Sequence, residues 1–208
     1  MRNQSSNPMI MKPTRFAILL TALALGPLSL LQASIETYSI DPVHTWVGFS
    51  ASHFFTKVPG YFAKVKGTIL VDRAQLDHSS VDAVIEAASI TTNTGLRDDD
   101  LRSSNFFEVE KFPLISFKSD SWKHSGKNDY LVTGNLTIKG TTRHVALKVT
   151  SLGFGAGMKG VAISGWDIST TLDRRDFGIT ADPDVIGNSI DVLIHIESDL
   201  VPVAAKRE

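Results

Sequence analysis

Most of the chain alternates between apolar and polar residues with a period of two, which is the pattern of β-strands that bury one face. The clearest stretch is the last one, where Ile190, Val192, Ile194 and Ile196 share one face. Comparable stretches predict strands over residues 38–42, 44–54, 61–71, 81–90, 114–122, 130–138, 144–151, 161–171 and 189–200. Turns are predicted at residues 58–60, 125–129, 139–141 and 153–157.

These strands predict an all-β antiparallel barrel or sandwich. A barrel is favoured because closure removes the exposed strand edges that promote aggregation. An eight-stranded barrel has an interior just wide enough to be filled by side chains or to hold one small ligand. Several predicted inward residues are small and favour a cavity, namely Ala51, Ala63, Gly67, Ala83, Ala87, Gly134 and Gly165. The alternative is a solid interior packed around Phe49, Phe117 and Leu136.

The predicted lining of this interior is apolar. It comprises Phe49, Ile69, Ile85, Phe117, Leu136, Ile138, Val145, Leu147, Ile163, Ile190 and Val192. For any one of these residues, ordinary core packing is the better explanation, so the functional prediction applies to the set. Each methylene removed from water contributes roughly 0.8 kcal/mol, so a long apolar tail would bind well in such a space. A tail that comes from a membrane gains less free energy on entering the cavity than one that comes from water. Exchange of the lipid between membrane and protein is therefore feasible.

Residues 89–113 break the alternation. In this segment Thr94, Asp98 and Asn105 are residue types that cap short helical turns, and Gly95 and Pro113 interrupt regular structure. The segment also mixes cations, anions and bulky apolar residues. We therefore predict a short helical lid across one end of the barrel.

Three charged residues of the lid are candidates for contact with a polar head group: Arg97, Asp98 and Arg102. Asp98 and Arg102 are four residues apart and are predicted to pair along one helix face. A structural ion pair that holds the lid is the favoured interpretation. The functional alternative is an arginine that binds a phosphate or carbonyl through paired N–H groups. Because a deeply buried charge is costly, any head group is expected at the mouth of the barrel.

The first 33 residues predict a secretory signal peptide. Lys12 and Arg15 precede an apolar run over residues 16–31, and the small residues Ala33 and Ser34 follow. The predicted organisation is thus a signal peptide over residues 1–33 and one domain over residues 34–208, located in the periplasm. The alternative, an uncleaved anchor, is disfavoured because the run is shorter than the roughly 20 apolar residues that a span requires.

The amino-acid composition excludes several kinds of functional site. The chain has 208 residues, 21 basic and 22 acidic, and no cysteine, which excludes disulfides, thiolate metal sites and cysteine nucleophiles. Residues 1–33 hold three of the basic residues and no acidic one, so the predicted domain has 18 basic and 22 acidic residues. This balance gives no electrostatic footprint for nucleic acid.

The sequence predicts neither a metal site nor an enzyme. The histidines are scattered, and a metal site needs three or four converging ligands. The run of Asp98, Asp99 and Asp100 lacks the spaced ligands of a calcium loop and is interpreted as a solvated helix start. No nucleophile elbow, phosphate loop or dinucleotide motif occurs. The alternative function is an enzyme acting on a hydrophobic isoprenoid-like substrate, with His53, Asp98 or Arg102 as its acid–base groups.

Nine short motifs in order resemble the YceI-like family of secreted, lipocalin-like β-barrel proteins, over residues 37–200. They are Tyr38-x-Ile-Asp-Pro-x-His44, Phe49-x-x-x-His53, Gly60-x-Phe62, Ser89-Ile-x-Thr92, Arg97-Asp98-x-x-Leu101-Arg102, Phe106-Phe107, Phe112-Pro113-x-Ile-x-Phe117, Gly134-x-Leu-Thr-Ile-Lys-Gly-x-Thr-Arg143 and Arg175-Asp-Phe-Gly-Ile179. The resemblance implies an eight-stranded antiparallel lipocalin-like barrel with a short helical lid. It also implies an apolar tunnel that binds polyisoprenoids or other long lipid tails, such as prenyl phosphates or quinones.

The function expected is that of a soluble periplasmic binding or carrier protein for a polyisoprenoid or another long-chain lipid. No cofactor is expected beyond a bound isoprenoid or quinone as ligand, and the expected partners are that lipid and, transiently, a membrane. A homodimer is left open. The predicted ligand-binding residues are Phe49, His53, Ile69, Ile85, Arg97, Asp98, Leu101, Arg102, Phe106, Phe117, Leu136, Ile163 and Val192.

Overall fold

The structure is a computed structural model and describes residues 35–202, without the side chain of Lys159. The predicted signal peptide, residues 1–33, lies outside the described residues. The strands are β1 (Ile35–Ile40), β2 (Trp46–His53), β3 (Thr56–Phe62), β4 (Val65–Asp72), β5 (Ser80–Glu86), β6 (Ile90–Thr91), β7 (Leu114–His124), β8 (Asp129–Ile138), β9 (Thr141–Ala156), β10 (Ala162–Asp173) and β11 (Ile186–Leu200). One α-helix, α1, spans Gly95–Arg102, and short 3-10 turns cover Leu76–His78, Ala87–Ser89, Met158–Gly160 and Arg174–Phe177.

Eight of these strands close into an antiparallel barrel, as predicted. Their order around the barrel is β1-β4-β5-β7-β8-β9-β10-β11, and β11 pairs again with β1. The closing pair aligns Tyr38 with Leu200 and Ile40 with Ser198. Because every strand of the ring has a neighbour on both sides, the ring leaves no free edge over the paired residues.

Two positions around the barrel are each occupied by two strands that follow one another along the chain. At the first position, β1 pairs with the end of β11 and β2 pairs with its earlier part. At the next position, β4 pairs with β1 and β3 pairs with β2. Between β3 and β4 the chain leaves the ladder, and the backbone N–H of Lys64 donates to the Ser89 hydroxyl at 3.1 Å. The predicted continuous strand over residues 61–71 is therefore wrong. Its side-chain alternation changes phase at the break, so that both Phe62 and Val65 face the interior.

Two predicted turns are also strand. Residues 58–60 lie within β3, and the actual hairpin turn is at Phe54 and Phe55, where Phe54 has a φ of 49°. Pro59 is tolerated because β3 pairs on its far side only through Tyr61 and Phe62.

Most of the predicted turn at residues 153–157 belongs to β9, which runs to Ala156. Gly153, with a φ of 123°, lies opposite Gly165, where the β9–β10 register shifts. The glycine thus marks a β-bulge, not the end of a strand.

The predicted helical lid is present at one end of the barrel. β6 pairs with the end of β3, α1 follows, and the chain re-enters the barrel where the Ala87 N–H donates to the Pro113 carbonyl at 2.9 Å. Thr94 occupies the N-cap position, but its side chain does not bond a helix N–H; it accepts a bond from the Arg97 guanidinium at 3.1 Å. Within residues 35–202, no helix is both long enough and apolar enough to cross a lipid bilayer.

Candidate functional site

The barrel encloses a cavity of about 280 Å³, so the prediction of an interior with spare room is confirmed and that of a solid core is wrong. All ten long strands contribute to its wall; only the two-residue β6 does not. The wall is almost wholly carbon, because the strands direct alternate aliphatic and aromatic side chains inward. Such a space excludes a charged ligand from its depth and suits an apolar chain.

The cavity opens at the lid end. Of the described residues that line it, two are exposed: His53 at the end of β2 and Arg97 on α1. All other lining residues are buried or partly buried. His53 and Arg97 therefore mark the mouth, where the interior meets solvent.

Exposed apolar side chains flank the mouth. Phe54 and Phe55 form the tip of the β2–β3 hairpin directly after His53, and Leu96 directly precedes Arg97. Their exposed fractions are 64%, 103% and 88%. The backbone N–H of Phe54 donates to the Val185 carbonyl at 3.1 Å, which fixes the base of the tip while the rings remain in solvent.

The lid is held by Asp98, which is 6% exposed. Its carboxylate accepts bonds from the Thr92 N–H at 2.7 Å, the Thr92 hydroxyl at 2.6 Å and the Thr91 hydroxyl at 2.9 Å. Burial alone would raise the pKa of Asp98, but these bonds outweigh it and lower the pKa below its ordinary value of 3.8. The carboxylate thus ties α1 to β6 as an anion.

The predicted Asp98–Arg102 ion pair is not formed. Arg102 pairs with Asp99 at 3.1 Å and donates to the carbonyls of Ala88 and Ile90 at 2.9 and 2.8 Å. Asp98 is instead bonded by Thr91, the last residue of β6, and by Thr92 directly after it. Asp98 and Arg102 thus both hold the lid, Asp98 through hydroxyl and backbone N–H groups and Arg102 through backbone carbonyls and Asp99.

Arg97 is the lid cation that reaches the cavity. Its Nε donates to the Thr92 hydroxyl at 2.7 Å, and its Nη2 donates to the Thr92 carbonyl and the Thr94 hydroxyl, both at 3.1 Å. For Nη1 the structure shows no hydrogen bond to any residue in the range 35–202, and no carboxylate of that range lies within 4 Å of Arg97. The guanidinium is therefore oriented at the mouth with donor capacity to spare.

A second arginine, Arg174, lies at the same end and was missed. It is 5% exposed and lines the cavity. Its guanidinium donates to the carbonyls of Ala181 at 2.6 Å, Ile186 at 2.9 Å, Gly187 at 3.2 Å and Ile179 at 3.4 Å. Burial lowers the pKa of Arg174, although nearby Asp182 and Asp173 oppose this. Arg174 therefore holds the loop before β11 in place at the mouth of the cavity.

The Arg-Asp-Phe-Gly motif forms a tight turn that is held by an ion pair. Arg175 pairs with Asp173 at 2.6 Å rather than with Asp176, and these bonds lower the pKa of Asp173 to about 2. Phe177 is 2% exposed and lines the cavity. The sequence gives no signal that the first arginine of the pair is buried and the second exposed.

The structure brings most of the predicted ligand-binding residues together around the cavity. Those that line it are Phe49, His53, Ile69, Ile85, Arg97, Leu101, Phe106, Phe117, Leu136 and Val192. Asp98, Arg102 and Ile163 do not line it, nor does Val145 of the predicted lining. Ile163 is the second residue of β10, three residues before Trp166, where the cavity lining of that strand begins. Ligand contact by any of these residues remains a prediction.

The prediction that seven small residues face the cavity is wrong for five of them: Ala63, Gly67, Ala87, Gly134 and Gly165 do not line it. Ala51 and Ala83 line the cavity and leave room in it. Gly67 and Gly134 do not, because neighbouring strands occupy the space that a side chain would take. A Cβ on Gly134 would lie 2.3 Å from the Lys118 carbonyl oxygen, and one on Gly67 would lie 2.7 Å from the Asp82 carbonyl oxygen.

The far end of the cavity is closed by aromatic residues that sequence reasoning also missed. Trp122 of β7 and Trp166 of β10 both line the cavity and meet edge to face, with ring centroids 5.6 Å apart. Tyr130 packs behind Trp122 at 6.1 Å, and Phe154 packs behind Trp166 at 5.7 Å. We call Trp122 and Trp166 the floor. The predicted alternation, with Phe117 and Gly165 inward, would have placed both tryptophans on the outer face. A register shift between Ser119 and Ser121 turns Trp122 inward, and on β10 the even-numbered residues, Trp166 among them, face the cavity in place of Gly165.

Asp41, His44 and Glu197 cluster outside the cavity, with one ligating atom of each within 4.8 Å of the others. His44 Nδ1 lies 2.6 Å from Asp41 and 3.8 Å from Glu197. His44 Nδ1 is already engaged by the Asp41 carboxylate, and that hydrogen bond raises the pKa of His44. The group is therefore interpreted as a hydrogen-bonded surface ion pair.

Comparison with known proteins agrees with this architecture. A family model described as the YceI-like domain matches residues 38–198. A UPF0312 protein of Azotobacter vinelandii is 33% identical over 183 residues, which cover 86% of this chain and 95% of the relative.

Two solved structures show a similar fold. BcnA of Burkholderia cenocepacia superposes with a TM-score of 0.70 at 23% identity, over 76% of this chain and 98% of that one. A polyisoprenoid binding domain from Saccharophagus degradans, implicated in plant cell wall breakdown, superposes with a TM-score of 0.62 at 15% identity, over 79% and 98%. At these identities the likeness concerns the fold alone.

Proposed function

Because this chain belongs to the YceI-like domain family, we propose that it binds a polyisoprenoid or another long-chain lipid in the barrel cavity and carries it through the periplasm. The observation that carries the proposal is the apolar cavity with a single cationic mouth. The structural relative from Saccharophagus degradans, described as a polyisoprenoid binding domain, supports the ligand class. The periplasmic location rests on the signal-peptide pattern of residues 1–33.

Tail burial supplies the affinity. Each methylene that moves from water into the cavity contributes roughly 0.8 kcal/mol. A lipid already in a bilayer has no such gain, so transfer between membrane and protein is close to balanced. Near balance suits a carrier, which must load and unload without a chemical step.

The head group of the ligand remains at the mouth. The cavity wall offers almost no polar partner, whereas Arg97 presents its guanidinium where the cavity meets solvent. A phosphate or a quinone carbonyl can accept N–H bonds there and stay hydrated on its other side. Arg97 then orients the ligand, and the wall accepts its tail.

Loading from a membrane needs a path for the tail. Phe54, Phe55 and Leu96 are exposed at the mouth, where they can enter the interfacial region of a bilayer and shield the tail during transfer. Replacing Phe54 and Phe55 by serine should slow uptake of a prenyl lipid from vesicles without changing its affinity at equilibrium. A double variant with unchanged transfer rates would remove this part of the proposal.

The central test is the content of the cavity. Native mass spectrometry of protein isolated from the periplasm should show a bound long-chain lipid, and delipidated protein should take up an added prenyl phosphate. Ala51→Phe, which adds a ring inside the cavity, should abolish uptake. Ala146→Phe, on an exposed position of β9, is the matched control and should bind normally. Protein that is empty in cells and refuses prenyl phosphate would contradict the proposal.

The geometry gives no support to the alternative of an enzyme with His53, Asp98 or Arg102 as acid–base groups. Asp98 is committed to three hydrogen bonds and Arg102 to backbone carbonyls, and neither lines the cavity. Only His53 reaches the mouth. The three side chains therefore do not converge on one ligand position.

A further inference from the structure

We infer that the outer edge of β3 is a self-association surface, and that Pro59 keeps it closed to a second copy of this chain. β3 lies outside the eight-strand ring, and over residues 56–60 it pairs only with β2. An unpaired strand edge can take up a further strand, and antiparallel pairing about a two-fold axis lets an edge pair with itself. The groups involved are backbone groups, so this surface does not depend on the proposed function.

The neighbours of β3 show which of its backbone groups face outward. Tyr61 pairs with β6, and on the same side the Ala63 N–H donates to the Ser89 carbonyl at 3.1 Å. Because hydrogen-bonding groups alternate sides along a strand, those of Lys57 and Pro59 point the same way. The pairing with β6 ends at Tyr61, so within residues 35–202 no strand lies beside Lys57 and Pro59.

The surroundings make an open edge hazardous at this position. Lys57 and Pro59 are both exposed. Phe54 and Phe55, which directly precede β3, are 64% and 103% exposed. Exposed apolar side chains beside a free edge favour pairing between copies of a protein, and natural edges are commonly blunted by proline and lysine.

Pro59 blocks the register that would use the whole edge. If residue 57 of one copy faced residue 59 of the other, an antiparallel sheet would exchange both N–H···O=C bonds at each such pair. Pro59 has no N–H, and its ring occupies the position from which the proton would point. Each of the two symmetric pairs therefore loses one bond and brings the ring against the Lys57 carbonyl of the other copy.

The adjacent registers are unfavourable for other reasons. Alignment of Lys57 with Lys57 places like charges opposite each other, although each ammonium group also pairs with Asp191 of its own chain. Alignment of Pro59 with Pro59 offers no donor at that pair and sets Lys57 against Tyr61, whose backbone already pairs with β6. Only the register that joins residues 57 and 59 becomes free of conflict when Pro59 is replaced.

The test is the self-association of Pro59→Val, which restores the missing N–H with a residue suited to strands. Sedimentation equilibrium of the purified protein should show association at least about tenfold stronger than in wild type, because each dimer regains hydrogen bonds at two symmetric pairs. Pro42→Val is the matched control. Pro42 is also exposed but lies between β1 and β2, outside any strand, so this variant should associate no more than wild type.

A second variant moves the block along the same edge. In Lys57→Pro/Pro59→Val the missing donor is shifted by two residues to another outward-facing position, so association should return to the wild-type level. Thermal unfolding followed by circular dichroism checks that each variant is folded.

Hydrogen exchange locates the contact without the double variant. In associated Pro59→Val the Lys57 N–H should exchange more slowly than in wild type, because it donates to the other copy. Equal association of Pro59→Val and Pro42→Val would overturn the inference. So would association that leaves the Lys57 N–H unprotected or that persists in the folded double variant.

Discussion

At the scale of single residues, two buried charges organise the mouth of the barrel without opposite charges in direct contact. Asp98 is held by hydroxyl and backbone N–H groups, and Arg174 by four backbone carbonyls. A buried charge is costly unless it is well hydrogen-bonded, and both residues meet that requirement. Asp98 therefore anchors the lid, and Arg174 anchors the loop before β11.

Asp98 should make the protein sensitive to acid. Its pKa is lowered in the folded protein, so the stability it contributes is present above its ordinary pKa near 4 and is lost as the pH falls through the folded value. Between about pH 5 and pH 2, Asp98→Asn should flatten the loss of unfolding free energy measured in urea. Asp184→Asn removes an exposed carboxylate with no side-chain bond in the described structure and should keep the wild-type slope. Equal slopes for wild type and Asp98→Asn would contradict the assignment.

Arg174 should matter far more for stability than its neighbour Arg175. Arg174→Met keeps the length of the side chain but leaves four carbonyls without their donor, and we expect a loss of at least about 3 kcal/mol in unfolding free energy. Arg175→Met removes a solvent-exposed pair with Asp173 and should hardly move the urea midpoint. The comparison fails if the two variants unfold at the same urea concentration.

At the scale of elements, the period-two pattern predicted the strands, their antiparallel class and most of the inward face. The prediction failed where the chain leaves the hydrogen-bonded sheet, because a period of two assumes an unbroken strand. Because the chain breaks at residues 63 and 64, Phe62 faces the interior in place of the predicted Ala63, and the bulge at Gly153 was mistaken for a turn. The alternation of apolar and polar residues also could not predict the hydrogen-bond partners of the charged residues. The partners of Asp98 and Arg174 depend on how the loops fold back against the barrel.

The close contact between β7 and β8 predicts a sharp difference between two glycines. Gly134→Ala should cost about 1–3 kcal/mol, because the added methyl group meets the backbone of Lys118 and Ser119 next to a bulge in β7. Gly155→Ala, in β9, has no heavy atom within 4 Å of the new Cβ and should change stability by less than about 0.5 kcal/mol. Thermal unfolding followed by circular dichroism would measure both. Similar melting temperatures would show that β7 and β8 separate easily.

At the scale of the whole molecule, cavity and barrel are one structure, because the lining residues are also the core of the fold. A ligand that fills the cavity should therefore stabilise every strand at once. With geranylgeranyl phosphate at a hundred times its dissociation constant, binding adds about 2.7 kcal/mol and should raise Tm by roughly 5–11 °C for a domain of this size. Glycerol phosphate, a head group without a tail, should leave Tm unchanged; an equal shift would mean that the head alone is bound at the surface.

The mouth formed by His53 and Arg97 also dictates a sequence of events. Under the proposed function, a lipid would enter this opening tail first and leave it head group first. An accepting membrane or protein would then contact the head group while the tail is still inside the barrel. Loaded and empty molecules would differ at the mouth, so an acceptor could distinguish them there.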